Sequence, residues 1–127
     1  MKKVLSTIIL IFGVITLVHG QELSVETMQF GTDVQDRQVV GADSAFAASV
    51  GQVYCFTHIT GAQDTVTVSH IWYHEGDEMA KVDLTVRSNS WRTWSSKNIM
   101  ESWTGQWSVD VLGPNGDIIA TESFTVE

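Results

Sequence analysis

After the first twenty residues, apolar and polar positions alternate with the two-residue period of a strand. The pattern is clearest from Met79 to Val86, where Ala80, Val82, Leu84 and Val86 interleave with Met79, Lys81, Asp83 and Thr85. Such a segment has one face for a core and one for solvent. Gln52 to Thr60 and Val66 to His74 are rich in β-branched and aromatic residues, which favour strands, and Gly61 to Asp64 between them reads as a turn. Glu75-Gly76-Asp77 predicts a hairpin into the Met79 strand. Trp107, Val109 and Val111 define another strand, and Ile118, Ala120, Phe124 and Val126 share one parity of the last, with Glu122 as the exception. Between these two, Gly113-Pro114-Asn115-Gly116 carries the Asn-Gly hairpin signal. Thr27 to Phe30 is a further strand candidate, and Asp33 to Ala48 reads as ambiguous loop. No segment carries a helical stripe. The expectation is an all-β fold: a small antiparallel, immunoglobulin-like β-sandwich of six to eight strands.

The first twenty residues follow other rules. Met1-Lys2-Lys3 is positive, Val4 to Val18 lacks any charge, and Val18-His19-Gly20 offers compact residues at the first and third positions before Gln21. This predicts a cleaved signal peptide over residues 1–20. The run is too short and too diluted by Ser6, Thr7, Gly13 and Thr16 for a stable span of about twenty residues. An uncleaved membrane anchor is the alternative. A lipid anchor would need Cys where Gln21 stands. The expected organisation is therefore a signal peptide (1–20), an N-terminal strand and loop region (21–49) and the core of one sandwich domain (50–127), exported to the periplasm or outside the cell.

Cleavage changes the charge. Of 127 residues 107 remain, with five basic residues against fifteen acidic ones, a net charge near −10 with His neutral. That balance excludes nucleic acid and anionic lipid as main partners, because both need a basic footprint. Cys55 is the single cysteine, so no internal disulfide is available. Within Val53-Tyr54-Cys55-Phe56 it is expected as a buried, inert thiol, with an intermolecular disulfide or a nucleophile as the alternative.

Little in the sequence points to catalysis. His70 and His74 would chelate together on a helix, but on a strand they stand about 13 Å apart and cannot share one zinc ion unaided. Both are expected as surface or half-buried strand residues. Glu75, Asp77 and Glu78 lack the spacing of a calcium loop. No nucleophile elbow, phosphate loop or zinc-protease helix occurs. No metal or other cofactor is expected, and a non-enzymatic module is favoured over a small hydrolase.

One segment stands apart. Of five tryptophans, Trp91, Trp94, Trp103 and Trp107 fall within seventeen residues, and Lys81, Arg87, Arg92 and Lys97 crowd into 81–97 with Asp83 as the single acid. Trp107 has core parity, Trp72 is expected to play a matching role across the sheets, and both join Cys55 in the core. Trp91, Trp94 and Trp103 lie where the alternation fails, so part of this segment reads as loop, where binding residues concentrate. Aromatic faces beside Arg and Lys can stack on a sugar ring or clasp an anionic group. Trp91, Arg92, Trp94, Ser96, Lys97 and Trp103 are the candidate binding residues. On the competing reading, the tryptophans cap the core while Arg92 and Lys97 pair with neighbouring carboxylates.

The strings Val53-Tyr54-Cys55-Phe56-Thr57, Ile71-Trp72-Tyr73-His74, Trp91-Arg92-Thr93, Ser95-Ser96-Lys97, Gly105-Gln106-Trp107-Ser108-Val109-Asp110-Val111 and Gly116 occur in order. Together they resemble a bacterial domain-of-unknown-function family, DUF2914, over about residues 50–127. The resemblance implies a bacterial source and an envelope or exported setting, and no mechanism. The combined expectation is a binding module of the cell envelope with a glycan or protein partner. The alternatives are an assembly module acting through a sheet edge and a small hydrolase. The sequence leaves the oligomeric state open.

Overall fold

The computed structural model describes residues 22–127; the expected signal peptide lies outside the described residues. Ten strands follow in order. They are β1 (Ser24–Gly31), β2 (Asp33–Gln35), β3 (Gln38–Val40), β4 (Ala45–Phe46), β5 (Gln52–Thr60), β6 (Val66–His74), β7 (Asp77–Val86), β8 (Ser90–Asn98), β9 (Gly105–Leu112) and β10 (Ile118–Val126). One sheet runs β1-β5-β8, a second β4-β10-β9-β6-β7, and β2-β3 form a separate hairpin. All pairings are antiparallel except β4 with β10, which is parallel.

The two larger sheets make a sandwich-like, all-β arrangement in the immunoglobulin-like manner. Successive strands cross from one sheet to the other at β5–β6, β7–β8 and β8–β9. The count exceeds the expected six to eight because the segment 33–48 forms three short strands and a 3-10 turn at Ala48–Val50. The predicted hairpins both form. The β6–β7 turn places Glu75 at φ 50° and Gly76 at φ 86°, the type I′ geometry that glycine adopts without a Cβ penalty. The β9–β10 turn closes with Gly113 N–H donating to Asp117 O at 2.8 Å.

The core fills the space between the sheets. Val53, Cys55 and Phe30 from one sheet meet Trp72, Trp107, Val109, Phe124 and Val126 from the other. Aromatic packing dominates: Trp107 stacks on Phe124 (5.9 Å between ring centroids) and on His74 (4.7 Å), and Phe30 lies 4.6 Å from Phe124. Trp72 does not face Trp107 across the sheets. Both sit in the five-stranded sheet, where β6 pairs with β9 and Trp72 lies opposite Val109. The partner of Trp72 in the facing sheet includes Phe30, 6.4 Å away. A smaller cluster of Ile59, Ala62, Val68 and Val86, with Trp91 packed against it, closes one end.

Candidate functional site

Strand β8 carries most of the candidate residues, and it is an edge strand of the three-stranded sheet. The segment expected to be partly loop is regular from Ser90 to Asn98; only the stretch to Gly105 is irregular. Regular alternation divides the candidates between two faces. Arg92, Trp94 and Ser96 point outward, opposite His58, Phe56 and Tyr54 of β5. Arg92 and Trp94 are exposed, while Ser96 is half-buried and accepts a hydrogen bond from Gln52 Nε2 at 3.1 Å. Trp91 turns inward onto the small cluster. Lys97 also has inward parity, and its Nζ lies 5.2 Å from the ring centre of Trp103. Trp103 in turn lies against Trp107, whose Nε1 donates to Trp103 O at 3.0 Å. Lys97 and Trp103 therefore cap the main core and leave Arg92 and Trp94 as a separate pair. Trp91, Trp94 and Trp103 do not share one face.

The outward pair belongs to a cleft of about 340 Å³ lined by Arg37, Ser88, Ser90, Trp91, Arg92 and Trp94. Its volume falls within the range of small-molecule sites, about 300–1,000 Å³. Trp94 lies nearly parallel to Phe56, with ring centroids 6.2 Å apart and an angle of 15°. Phe56 points outward, yet only 5% of it is exposed. Trp94 thus rests on an apolar base and keeps its other face toward solvent, at 36% exposure. Ser88 Oγ donates to Ser90 O at 3.0 Å, and His58 Nε2 lies 2.8 Å from Ser90 Oγ. These bonds fix the corner between β7 and β8.

No carboxylate lines this cleft. Among the described residues, neither the Arg37 nor the Arg92 guanidinium is held by an ion pair or a hydrogen bond. The pairing of Arg92 and Lys97 with carboxylates, which the competing reading required, does not form among the described residues. The basic window of the sequence does not form one patch. Lys81 lies exposed on β7 of the other sheet, and Lys97 sits beside Trp103. Sequence reasoning missed Arg37, the one basic residue among the described residues that lies outside the window. A roomier cleft of about 480 Å³ lies elsewhere, around Glu22, Pro114 and Asp117, but it has neither a cation nor an aromatic ring.

Beneath β8 runs a buried polar chain. Trp72 Nε1 donates to Ser95 Oγ at 3.1 Å, and Ser95 Oγ lies 2.7 Å from His70 Nδ1. His70 Nε2 lies 3.2 Å from Thr57 Oγ1, which donates to Thr93 O at 2.9 Å. Each hydroxyl has one proton, so the roles are determined. Ser95 donates to Nδ1, and the imidazole, protonated at Nε2, donates to Thr57. Every member is satisfied when His70 is neutral. Burial lowers the pKa of His70 to about 4. His70 is fully buried, which corrects the expectation of a surface or half-buried ring.

His74 stacks on Trp107 and lies 2.8 Å from Thr104 O through Nε2. No group of three His, Cys, Asp or Glu side chains among the described residues is placed to hold a metal ion. Trp72, Trp107 and Cys55 are fully buried. Burial, reinforced by the charge of Glu122, pushes the Cys55 thiol far above its ordinary pKa, so little thiolate is available for chemistry.

These features define a small all-β, immunoglobulin-like sandwich with an aromatic and cationic cleft on one edge. Residues 65–126 match the family model described as "Protein of unknown function (DUF2914)", the family that the sequence motifs resemble. The match spans β6 to β10 and includes Ser88 to Trp94, but not Arg37. No curated protein matches the chain. Among solved structures, it is similar to a β-glucosidase from Kluyveromyces marxianus at 12% identity and a TM-score of 0.49, covering 87% of this chain and 15% of that one. A Bifidobacterium adolescentis GH3 β-glucosidase gives 10% identity and 0.45, covering 84% and 17%. The chain thus spans about one-sixth of the length of these proteins.

Proposed function

We propose that this protein is an exported, non-enzymatic binding module of the bacterial envelope, working in the periplasm or outside the cell. Its ligand is a glycan or an anionic group on a partner, taken up at the cleft beside β8. One observation carries the reading: Arg92 and Trp94 stand side by side on an edge strand, with the ring backed by Phe56 and the guanidinium unpaired. A flat apolar face next to a forked donor suits a sugar ring with a polar substituent. A non-enzymatic role is supported by the chemistry of the titratable groups. The buried His70 is saturated by hydroxyl partners, and the Cys55 thiol is held protonated.

The test is glycan-array and envelope pull-down binding with wild type and with Trp94→Ala combined with Arg92→Ala. Binding should fall at least about tenfold, since one stacking contact and one charge-assisted hydrogen bond each contribute ~1 kcal/mol or more. Unchanged binding would sink the proposal. The edge position of β8 also supports the rival assembly reading, which predicts self-association unaffected by the two substitutions.

A further inference from the structure

The cleft is also lined by an arginine from a distant part of the chain, Arg37. Arg37 lies fifty-five positions before Arg92, at the tip of the β2–β3 hairpin. That hairpin turns on two residues, Asp36 and Arg37, between the paired Gln35 and Gln38. Both residues have positive φ, 51° and 59°, as a type I′ turn requires. Asparagine or aspartate followed by glycine is the favoured pair for this turn, and aspartate is tolerated at the first position. Arginine at the second is not a turn-forming residue, because its Cβ makes the left-handed region unfavourable. A residue that the turn disfavours, lining a cleft and with no protein partner among the described residues, fits a role outside the turn.

Two of the three arginines in the sequence, Arg37 and Arg92, line this cleft. The described chain is strongly acidic, yet no carboxylate reaches this place. Two unpaired forks beside an indole face match a ligand that is apolar on one side and anionic on the other. Ser88, engaged through its hydroxyl proton with Ser90 O, keeps acceptor capacity only, which suits a ligand that also carries hydroxyl groups. A sugar ring with a carboxylate or sulfate ester has these properties.

Building on the glycan reading above, we infer that the ligand class is an acidic saccharide. One sugar ring lies on Trp94, and its anionic group is shared by Arg37 and Arg92. Arg37 is then a specificity-determining residue: it separates acidic sugars from neutral ones of the same shape.

The experiment compares binding of oligogalacturonate, its fully methyl-esterified form and a sulfated galactan oligosaccharide by calorimetry at low salt, with wild type, Arg37→Gly and Trp94→Ala. Arg37→Gly is chosen because glycine suits the turn, so the variant should melt at or above the wild-type temperature. The expected result is binding of an acidic form, at least about tenfold weaker binding of the ester, and a similar loss in Arg37→Gly. A preference for carboxylate over sulfate, or the reverse, identifies the anionic group. Equal binding of acid and ester, unchanged in Arg37→Gly but lost in Trp94→Ala, overturns the acidic class and leaves the glycan reading standing. No binding of any saccharide by wild type, or binding that Trp94→Ala leaves intact, overturns both.

Discussion

The imidazole of His70 is neutral because its surroundings offer no solvent and no counter-charge, only hydroxyls that already complete its two hydrogen bonds. Its folded pKa, about 4, lies below the ordinary value near 6.5. As pH falls from 6.5, the unfolded chain takes up the proton first, so stability is complete above 6.5 and is lost progressively toward 4. The full contribution is about 3 kcal/mol. Urea unfolding at pH 7 and pH 4.5 should reveal most of it, and His70→Leu, though less stable at pH 7, should lack this step. An unaltered step in the variant would assign the pH dependence elsewhere. The burial of His70 was legible from its parity with Val68 and Trp72. What hid it was chemical habit, since a histidine beside Trp-Tyr-His suggests a ligand more readily than a core residue.

At the scale of elements, β8 shows why the alternation failed where it did. Its inward positions hold Thr93 and Ser95, which bond the chain of Thr57, His70 and Trp72, while an outward position holds Trp94 over Phe56. Polar inside and aromatic outside inverts the usual strand pattern, so the segment reads as loop although it is regular strand. The β2–β3 hairpin was illegible for another reason. Its strands have three residues each, and its turn lacks glycine. Gly31 is what lets that hairpin sit close to the sheet. A Cβ there would meet Val39 Cγ1 and come within 2.6 Å of Val40 O. Gly31→Ala should therefore cost about 1–3 kcal/mol in unfolding experiments, as overpacking against backbone does. It should also speed exchange of the Thr32 amide, which donates to Val40 O. Unchanged exchange would show that the hairpin tolerates the contact.

For the whole molecule, the all-β class and the two tight hairpins were legible because they rest on period and turn chemistry. The cleft was legible by half. Arg92 and Trp94 are two positions apart on one strand, whereas Arg37 joins them only through the folded hairpin. The core holds without a disulfide, and Cys55 within it offers a probe of the entire fold. With 0% exposure and a thiol held protonated, it should resist Ellman's reagent in the native state and react stoichiometrically in strong guanidinium. Its slow native labelling should track global opening. Rapid reaction of the native thiol would contradict the packing between the sheets.

The parallel clasp of β4 on β10, which pairs Ala45 with Thr125 and Phe46 with Val126, has a consequence for the order in which the molecule can form. A chain emerging from its N-terminus can close β1 on β5, and later β6 on β7, from what has already appeared. Ala45 and Phe46 must wait for Thr125 and Val126 before they gain a ladder partner. Phe46 also packs against Phe124, so both the ladder and the ring contact complete late. Bringing together segments so distant in sequence carries a loop-closure cost that local hairpins do not. The clasp thus acts as a latch: β4 closes over the outer side of β10 only once that strand has formed.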